Sequence, residues 1–144
     1  MSSQQVGLFP VSYEIGTGKP GAPRLSLHLL VYTPGKTVSG AGLITQAISP
    51  PLEEAVSIHG DFTYMTVMPK NTHILVTATG VPLVKWPLHG GIGPILQPIL
   101  HLRMVLENDW KSGTANFSYF ANGTWHEVEG ATVKMIPVQQ TIAA

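Results

Sequence analysis

The chain has 144 residues, of which 44% are hydrophobic and 11% charged, with a formal net charge of zero and no cysteine. This length suits one domain and excludes a second full one, and the apolar content excludes a disordered chain. The balanced charges give no basic field for nucleic acid, and the lack of cysteine excludes disulfides, Fe–S clusters and thiolate chemistry.

Short segments rich in Val, Ile, Leu, Thr, Tyr and Phe alternate with Gly- and Pro-rich turns along the chain, which is typical of β structure. Within these segments the apolar residues recur with a period of two, as in strands with one buried face. The pattern predicts eight strands, near residues 6–15, 25–32, 37–47, 55–68, 72–80, 99–107, 115–119 and 124–136. No segment has a convincing long helical period.

Several local signals refine these strands. Asn122-Gly123 predicts a two-residue type I′ hairpin, because that turn needs positive φ at both positions. The apolar phase of the last strand slips after Trp125, which predicts a β-bulge near Glu127 or at Gly130. Gly40, which shares a strand face with Gly42, indicates a bend or a close backbone approach.

Eight antiparallel strands in hairpin order predict an all-β fold, with residues 1–144 as a single β-domain. A small β-barrel and a β-sandwich both protect strand edges, and periodicity does not separate them. Residues 81–98 are apolar but contain four Pro and three Gly. This irregular loop either plugs one end of a barrel or packs on a neighbouring subunit.

Two parts of the chain resemble each other, which suggests an internal duplication of a three-strand unit. A shift of 73 residues aligns Leu-His-Leu at 27–29 with the same sequence at 100–102, and Ser-Gly at 39–40 with Ser-Gly at 112–113. A shift of 70 residues aligns the Gly and Met of 58–65 with those of 128–135. Each half would then hold three strands in the same order.

The N-terminal residues lack the basic and apolar regions of a signal peptide. No stretch approaches the roughly 18 consecutive apolar residues of a membrane-spanning helix. These features predict a cytoplasmic protein without a transmembrane segment.

The residues that carry chemistry form no recognised catalytic motif. Glu127 and Glu129, beside His126, are spaced as a carboxylate pair on one strand face, provided that the predicted bulge does not separate them. Three other histidines on polar strand faces would bind metal only if their strands brought them together: His28, His59 and His101. A solvated strand surface explains both groups more simply. The glycines at 90, 91 and 93 fit no nucleotide-binding fingerprint. We therefore expect no enzyme activity, no cofactor and no metal.

Aromatic residues suggest a pocket for a small apolar ligand, since the mouth of an eight-stranded barrel can hold one. The residues predicted to line it are Trp86, Trp110, Trp125, Tyr64 and Tyr119. The same side chains can instead form part of a plain aromatic core, which the sequence favours.

Apolar residues also occur on the strand faces opposite the predicted core. They are Leu30, Tyr32, Leu43, Leu75 and Val105. A second apolar face needs cover, and zero net charge removes the repulsion that keeps copies apart. We therefore predict a homo-oligomer that uses these residues as its interface. The alternative is a monomer in which residues 81–98 supply the cover.

Several runs of sequence resemble a family of bacterial proteins. They are GLFPV at 7–11, LSL at 25–27, SGAGLITQ at 39–46 followed by PPL at 50–52, and YMTVMP at 64–69. This stretch of the chain resembles domain of unknown function 1842. The resemblance implies a small bacterial β-domain and supplies no catalytic residue, ligand or partner.

Taken together, these features predict a non-enzymatic, self-associating structural or protein-interaction β-domain. The alternative is a small β-barrel that binds an apolar small molecule. A hydrolase that uses Glu127, Glu129 or a histidine ranks behind both.

Overall fold

The computed structural model describes residues 7–48, 51–66, 72–83 and 97–137. The regular elements in these ranges are all β-strands, and they confirm the prediction of eight. Their bounds are β1 (Leu8–Gly16), β2 (Arg24–Tyr32), β3 (Thr37–Gln46), β4 (Leu52–Thr66), β5 (Thr72–Pro82), β6 (Leu100–Glu107), β7 (Ser112–Ala121) and β8 (Thr124–Met135).

The strands form one closed antiparallel barrel in chain order. The predicted all-β class and hairpin order are confirmed, and the barrel is the correct one of the two predicted architectures. The closing seam is short, because β8 and β1 share four residue pairs, from Tyr13 opposite Met135 to Gly16 opposite Thr132. By contrast, β1 and β2 pair along their whole lengths.

Alternate side chains point into the barrel, and those that do are apolar. On β2 the inward residues are Leu25, Leu27, Leu29 and Val31, and on β6 they are Leu100, Leu102, Met104 and Leu106; all eight are buried. Burying each such side chain contributes about 1.5–3 kcal/mol. A continuous apolar core therefore fills the barrel wall to wall.

Close backbone approach requires glycine at three positions in the wall, one of which is Gly60, where a Cβ would overlap the carbonyl oxygen of Thr77 on β5. A Cβ on Gly40 would overlap the carbonyl oxygen of His28 on β2, and a Cβ on Gly113 would overlap that of Val105 on β6. Glycine at such sites lets a strand bend sharply against its neighbour, as a small barrel requires. The approach predicted at Gly40 is confirmed.

The predicted hairpin and bulge are both present in the last two strands. Asn122 and Gly123 have φ of 54° and 82° and connect β7 to β8. Asn116 lies opposite two residues of β8, Glu129 and Gly130. Gly130 has φ of 68°, and its amide donates to Asn116 Oδ1 at 2.8 Å. A bulge with glycine in the left-handed region adds local twist to β8.

The aligned sequence repeats fall on corresponding strands: β2 with β6, β3 with β7 and β4 with β8. However, the turns of the two hairpins are 75 residues apart, from Tyr32 to Glu107 and from Thr37 to Ser112. The sequence alignment at a shift of 73 is thus two residues out of step with the turns. A two-residue offset preserves the inward and outward phase of a strand, so the alignment at a shift of 73 still matches inward with inward residues. The duplication stays a prediction.

The predicted irregular segment 81–98 begins later than expected, because β5 continues through Pro82. Residues 84–96, which include Trp86, lie outside the described residues. At its far side, the Ile99 amide donates to the Gly80 carbonyl at 2.8 Å.

An aromatic cluster covers the barrel end at the β6–β7 turn, which we term the cap end. Trp110 packs edge-to-face on Phe9 and Phe62, with ring centroids 5.6 and 5.0 Å apart. The buried Tyr13 hydroxyl donates to the Trp110 carbonyl at 2.7 Å. This contact holds Trp110 at a φ of 68°, a conformation that bulky residues rarely adopt.

Adding a methyl group at Gly113 tests the close approach. We expect Gly113→Ala to lower the free energy of unfolding by about 1–3 kcal/mol, because backbone must move to make room. In Gly16→Ala, the matched control, the new Cβ meets its neighbours at 3.8 Å or more, and the change should stay within about 0.5 kcal/mol. Urea denaturation followed by circular dichroism measures both. Equal losses would contradict the account of Gly113.

Alkaline denaturation tests the burial of Tyr13. Burial, followed by the charge of Asp109, raises the pKa of Tyr13, and burial also raises that of Tyr119. Above pH about 10, where tyrosine in the unfolded chain ionises, the folded form binds these protons more tightly than the unfolded chain does. Stability should therefore fall as the pH rises beyond that value.

The variant Tyr13→Phe should show a shallower loss of stability above pH 10 than the wild type. At pH 7 it should be less stable by about 1 kcal/mol, because the hydrogen bond to Trp110 is lost. Urea titrations at a series of pH values give both quantities. An unchanged slope in the variant would show that Tyr13 does not carry the alkaline dependence.

Candidate functional site

The aromatic residues predicted to line one pocket do not lie together. Trp110 and Tyr64 are at the cap end, where Phe62 lies between them. Tyr119 is buried inside the barrel near its opposite end, and Trp125 is on the outer surface, 47% exposed. Among the described residues, therefore, no shared aromatic pocket forms, and Trp86 lies outside them.

A contiguous apolar surface occurs on the outside of β1 and β2. Leu8 pairs directly with Tyr32, and Pro10 with Leu30. Leu8, Tyr32 and Leu30 are 51%, 48% and 45% exposed. We call these four residues the β1–β2 patch. The β3 positions beside it are the uncharged Thr37 and Ser39.

The residues predicted to form an interface point outward but occupy separate parts of the barrel. Leu30 and Tyr32 belong to the β1–β2 patch. Leu43, 38% exposed, is on β3 beside Ala55 of β4. Leu75 and Val105 are half-buried and face each other across β5 and β6. One flat interface cannot include all of them.

A shallow groove of about 380 Å³ crosses the outside of β5 to β8. Its polar side chains lie in two rows set by the strand register: Thr77, Arg103, Asn116 and Glu129 in one, and Thr79, His101, Ser118 and Glu127 in the other. The Gly130 bulge twists β8 beside Asn116 at this point. The groove presents one guanidinium and two carboxylates.

Glu127 and Glu129 share the outer face of β8, because the bulge is formed by Glu129 and Gly130 and leaves the alternation from Glu127 to Glu129 intact. His126 does not join them. Its Nε2 lies 3.1 Å from the Ala121 carbonyl and 3.3 Å from the Thr124 hydroxyl, at the hairpin. The carboxylates and this imidazole are thus held apart, and they do not converge as an acid and base would.

The structure also brings together polar residues of β1 and β2, of which the sequence analysis considered only His28. Ser12 Oγ lies 2.9 Å from His28 Nδ1, and on the next outward pair Ser26 donates to Glu14 at 3.2 Å. Glu14 also faces Arg24 at 3.6 Å. These pairs depend on the register between the two strands. The sequence shows only that polar residues alternate along each strand, which does not predict which of them pair.

A serine beside a histidine is the arrangement of an activated nucleophile. Here the contacts of the Glu14 carboxylate are with Ser26 and Arg24, so it does not orient His28. The dyad therefore lacks the third member that aligns the base in known triads. The described residues hold no group of three His, Asp or Glu side chains close enough to bind a metal ion.

Comparisons with known proteins identify a family and leave the activity open. None of the described residues forms a helix with the length and hydropathy needed to cross a membrane. A search of curated proteins finds no match to this chain. A family model matches residues 6–125, which run from the segment before β1 into the start of β8. The chain therefore belongs to the family described as Domain of unknown function (DUF1842).

Proposed function

We propose that this domain is a non-catalytic interaction module that self-associates through the β1–β2 patch. The observation that carries the proposal is the direct pairing of exposed apolar side chains, Leu8 with Tyr32 and Pro10 with Leu30, on the outer surface. Contiguous apolar surface of this kind is typical of contact sites between proteins.

A second copy of the same chain suits this patch. Two copies related by a twofold axis would place each Tyr32 ring on the apolar residues of the other copy. The zero net charge of the chain adds no long-range repulsion. A standard interface buries about 800 Å² on each partner, so the patch would form its apolar centre and Thr37 and Ser39 part of its polar rim.

The placement of the titratable residues supports a role without catalysis. Glu127 and Glu129 face the outer groove, whereas His126 is held at the hairpin. Ser12 is buried, but its partner His28 is exposed to solvent, so the pair does not exclude water from a reacting group.

The alternative of an apolar ligand inside the barrel has less support. The inward residues of the described strands pack against one another, and a ligand there would have to displace core side chains. Trp110 and Trp125, which were predicted to share a pocket, lie at the cap end and on the outside.

Charging the patch should separate the copies. We expect the wild type to be dimeric or larger at micromolar concentration, and Leu30→Glu to give a monomer of 15.4 kDa. The reason is that a carboxylate buried without a partner in an apolar interface costs several kcal/mol. Native mass spectrometry measures the mass and also detects any small molecule that co-purifies.

The matched control is Leu43→Glu, which places the same charge at an outward leucine outside the patch. This variant should retain the wild-type mass. A wild type that is monomeric at all concentrations would overturn self-association, and equal dissociation by both variants would remove the β1–β2 patch as its site. A reproducible added mass on the wild type would favour the ligand carrier instead.

A further inference from the structure

The first half of β8 is paired on one side only. β7 accompanies β8 from Thr124 to Lys134, whereas β1 pairs with Thr132–Met135 alone, because β1 ends at Gly16. Among the described residues, no strand pairs with 124–131 on the side toward β1. His126 is exposed for the same reason. It belongs to the inward phase of β8, between the outward Trp125 and Glu127, yet its side chain is not buried.

The geometry of the β7–β8 hairpin determines which backbone groups β8 presents on the side away from β7. In a two-residue hairpin the residues flanking the turn, here Ala121 and Thr124, bond to each other, and every second pair does likewise. The amides and carbonyls of Trp125, Glu127 and Glu129 therefore point away from β7. The Phe120 amide, opposite Trp125, agrees with this phase because it donates to Ile99 on the β6 side at 2.9 Å.

The side chains of the same three residues lie together on the outer face. The exposed Trp125 indole stacks on His101, with centroids 5.2 Å apart and planes at 28°. Glu127 and Glu129 follow at intervals of two and line the groove. One aromatic face and two carboxylates thus border a row of backbone donors and acceptors that no other described strand pairs with.

We propose that residues 124–129 of β8 bind an extended, basic segment of a partner protein by strand addition. Arginine or lysine at alternate positions of that segment would lie opposite Trp125, Glu127 and Glu129. Cations interact favourably with an indole face and with carboxylates directly across a strand pair. The main-chain hydrogen bonds contribute affinity, and the alternate side chains select the sequence.

A second copy of this chain fits the edge less well. Antiparallel pairing of two β8 strands about Glu127 would place that carboxylate against its own copy, and like charges directly opposite are destabilising. The bulge at Gly130 twists the strand away after Glu129, which limits the edge to a short partner segment. This inference uses a surface distinct from the β1–β2 patch and does not depend on self-association.

A synthetic peptide in which arginine and threonine alternate, with both ends blocked, is the probe. We expect it to bind the full chain in fluorescence anisotropy. We also expect it to slow hydrogen exchange at the amides of Trp125, Glu127 and Glu129 at least tenfold in NMR spectra. A peptide with N-methylated arginines keeps the charge but loses the donors, so it should bind at least tenfold more weakly.

Charge reversal provides the matched variants. The double variant Glu127→Lys, Glu129→Lys should bind the arginine peptide at least tenfold more weakly and should gain binding to a peptide with glutamate in place of arginine. Glu53→Lys with Asp61→Lys makes the same change in charge at exposed positions of β4. Asp61 is paired with both β3 and β5, and Glu53 is paired with β3. That control should bind like the wild type. Circular dichroism checks that both variants are folded.

Four outcomes would overturn the proposal. The first is no binding of the arginine peptide. The second is equal binding of the N-methylated peptide, which would mean attraction by charge without strand addition. The third is protection of these three amides in the free monomer, since another segment of the chain would then cover the edge. The fourth is protection that rises with protein concentration, which would assign the edge to a second copy.

Discussion

The pairing of β8 with β1 closes the sheet, and its position along the two strands decides which surfaces stay open. Four residue pairs form this seam, while every other neighbouring pair of strands has a longer register. Closure pairs β1 with β8, which would otherwise be the two edge strands of the sheet, and turns the inner faces of the eight strands into one core. Because β1 stops at Gly16, the same seam leaves the first half of β8 with a single neighbour among the described strands.

Closure at this size also determines what the interior can hold. Eight strands enclose a space just wide enough for side chains, and here large residues such as Leu27, Ile58 and Met104 are buried in it. The strands bend tightly enough that Gly40 and Gly113 touch the backbone of the next strand. With the inside filled by packing and Trp110 covering the cap end, the accessible chemistry of the described residues lies on the outer surface.

Local patterns were sufficient to predict the strands, the Asn122-Gly123 hairpin and the bulge at Gly130, because each depends on residues close in sequence. The choice of barrel over sandwich depends on whether β1 meets β8, about 120 residues later, and no local pattern records that pairing. For the same reason the sequence grouped Trp110 with Trp125, which the barrel places at its cap end and on its outside. The contact between Ser12 and His28 was missed because it requires the register of β1 against β2.

The outer surface is chemically divided, although the chain as a whole has no net charge. On β1 and β2, Leu8, Leu30 and Tyr32 are exposed and their neighbours on β3 are uncharged. Contact with a second apolar surface is therefore favourable at this place. Along β8, Glu127 and Glu129 accompany backbone groups that no other described strand pairs with, and a strand of opposite charge would fit such an edge better than its own copy. The two surfaces lie on either side of the short seam, so a partner bound to one of them leaves the other accessible. The two proposals together describe a barrel with a filled interior that would bind two different partners through its outer surface.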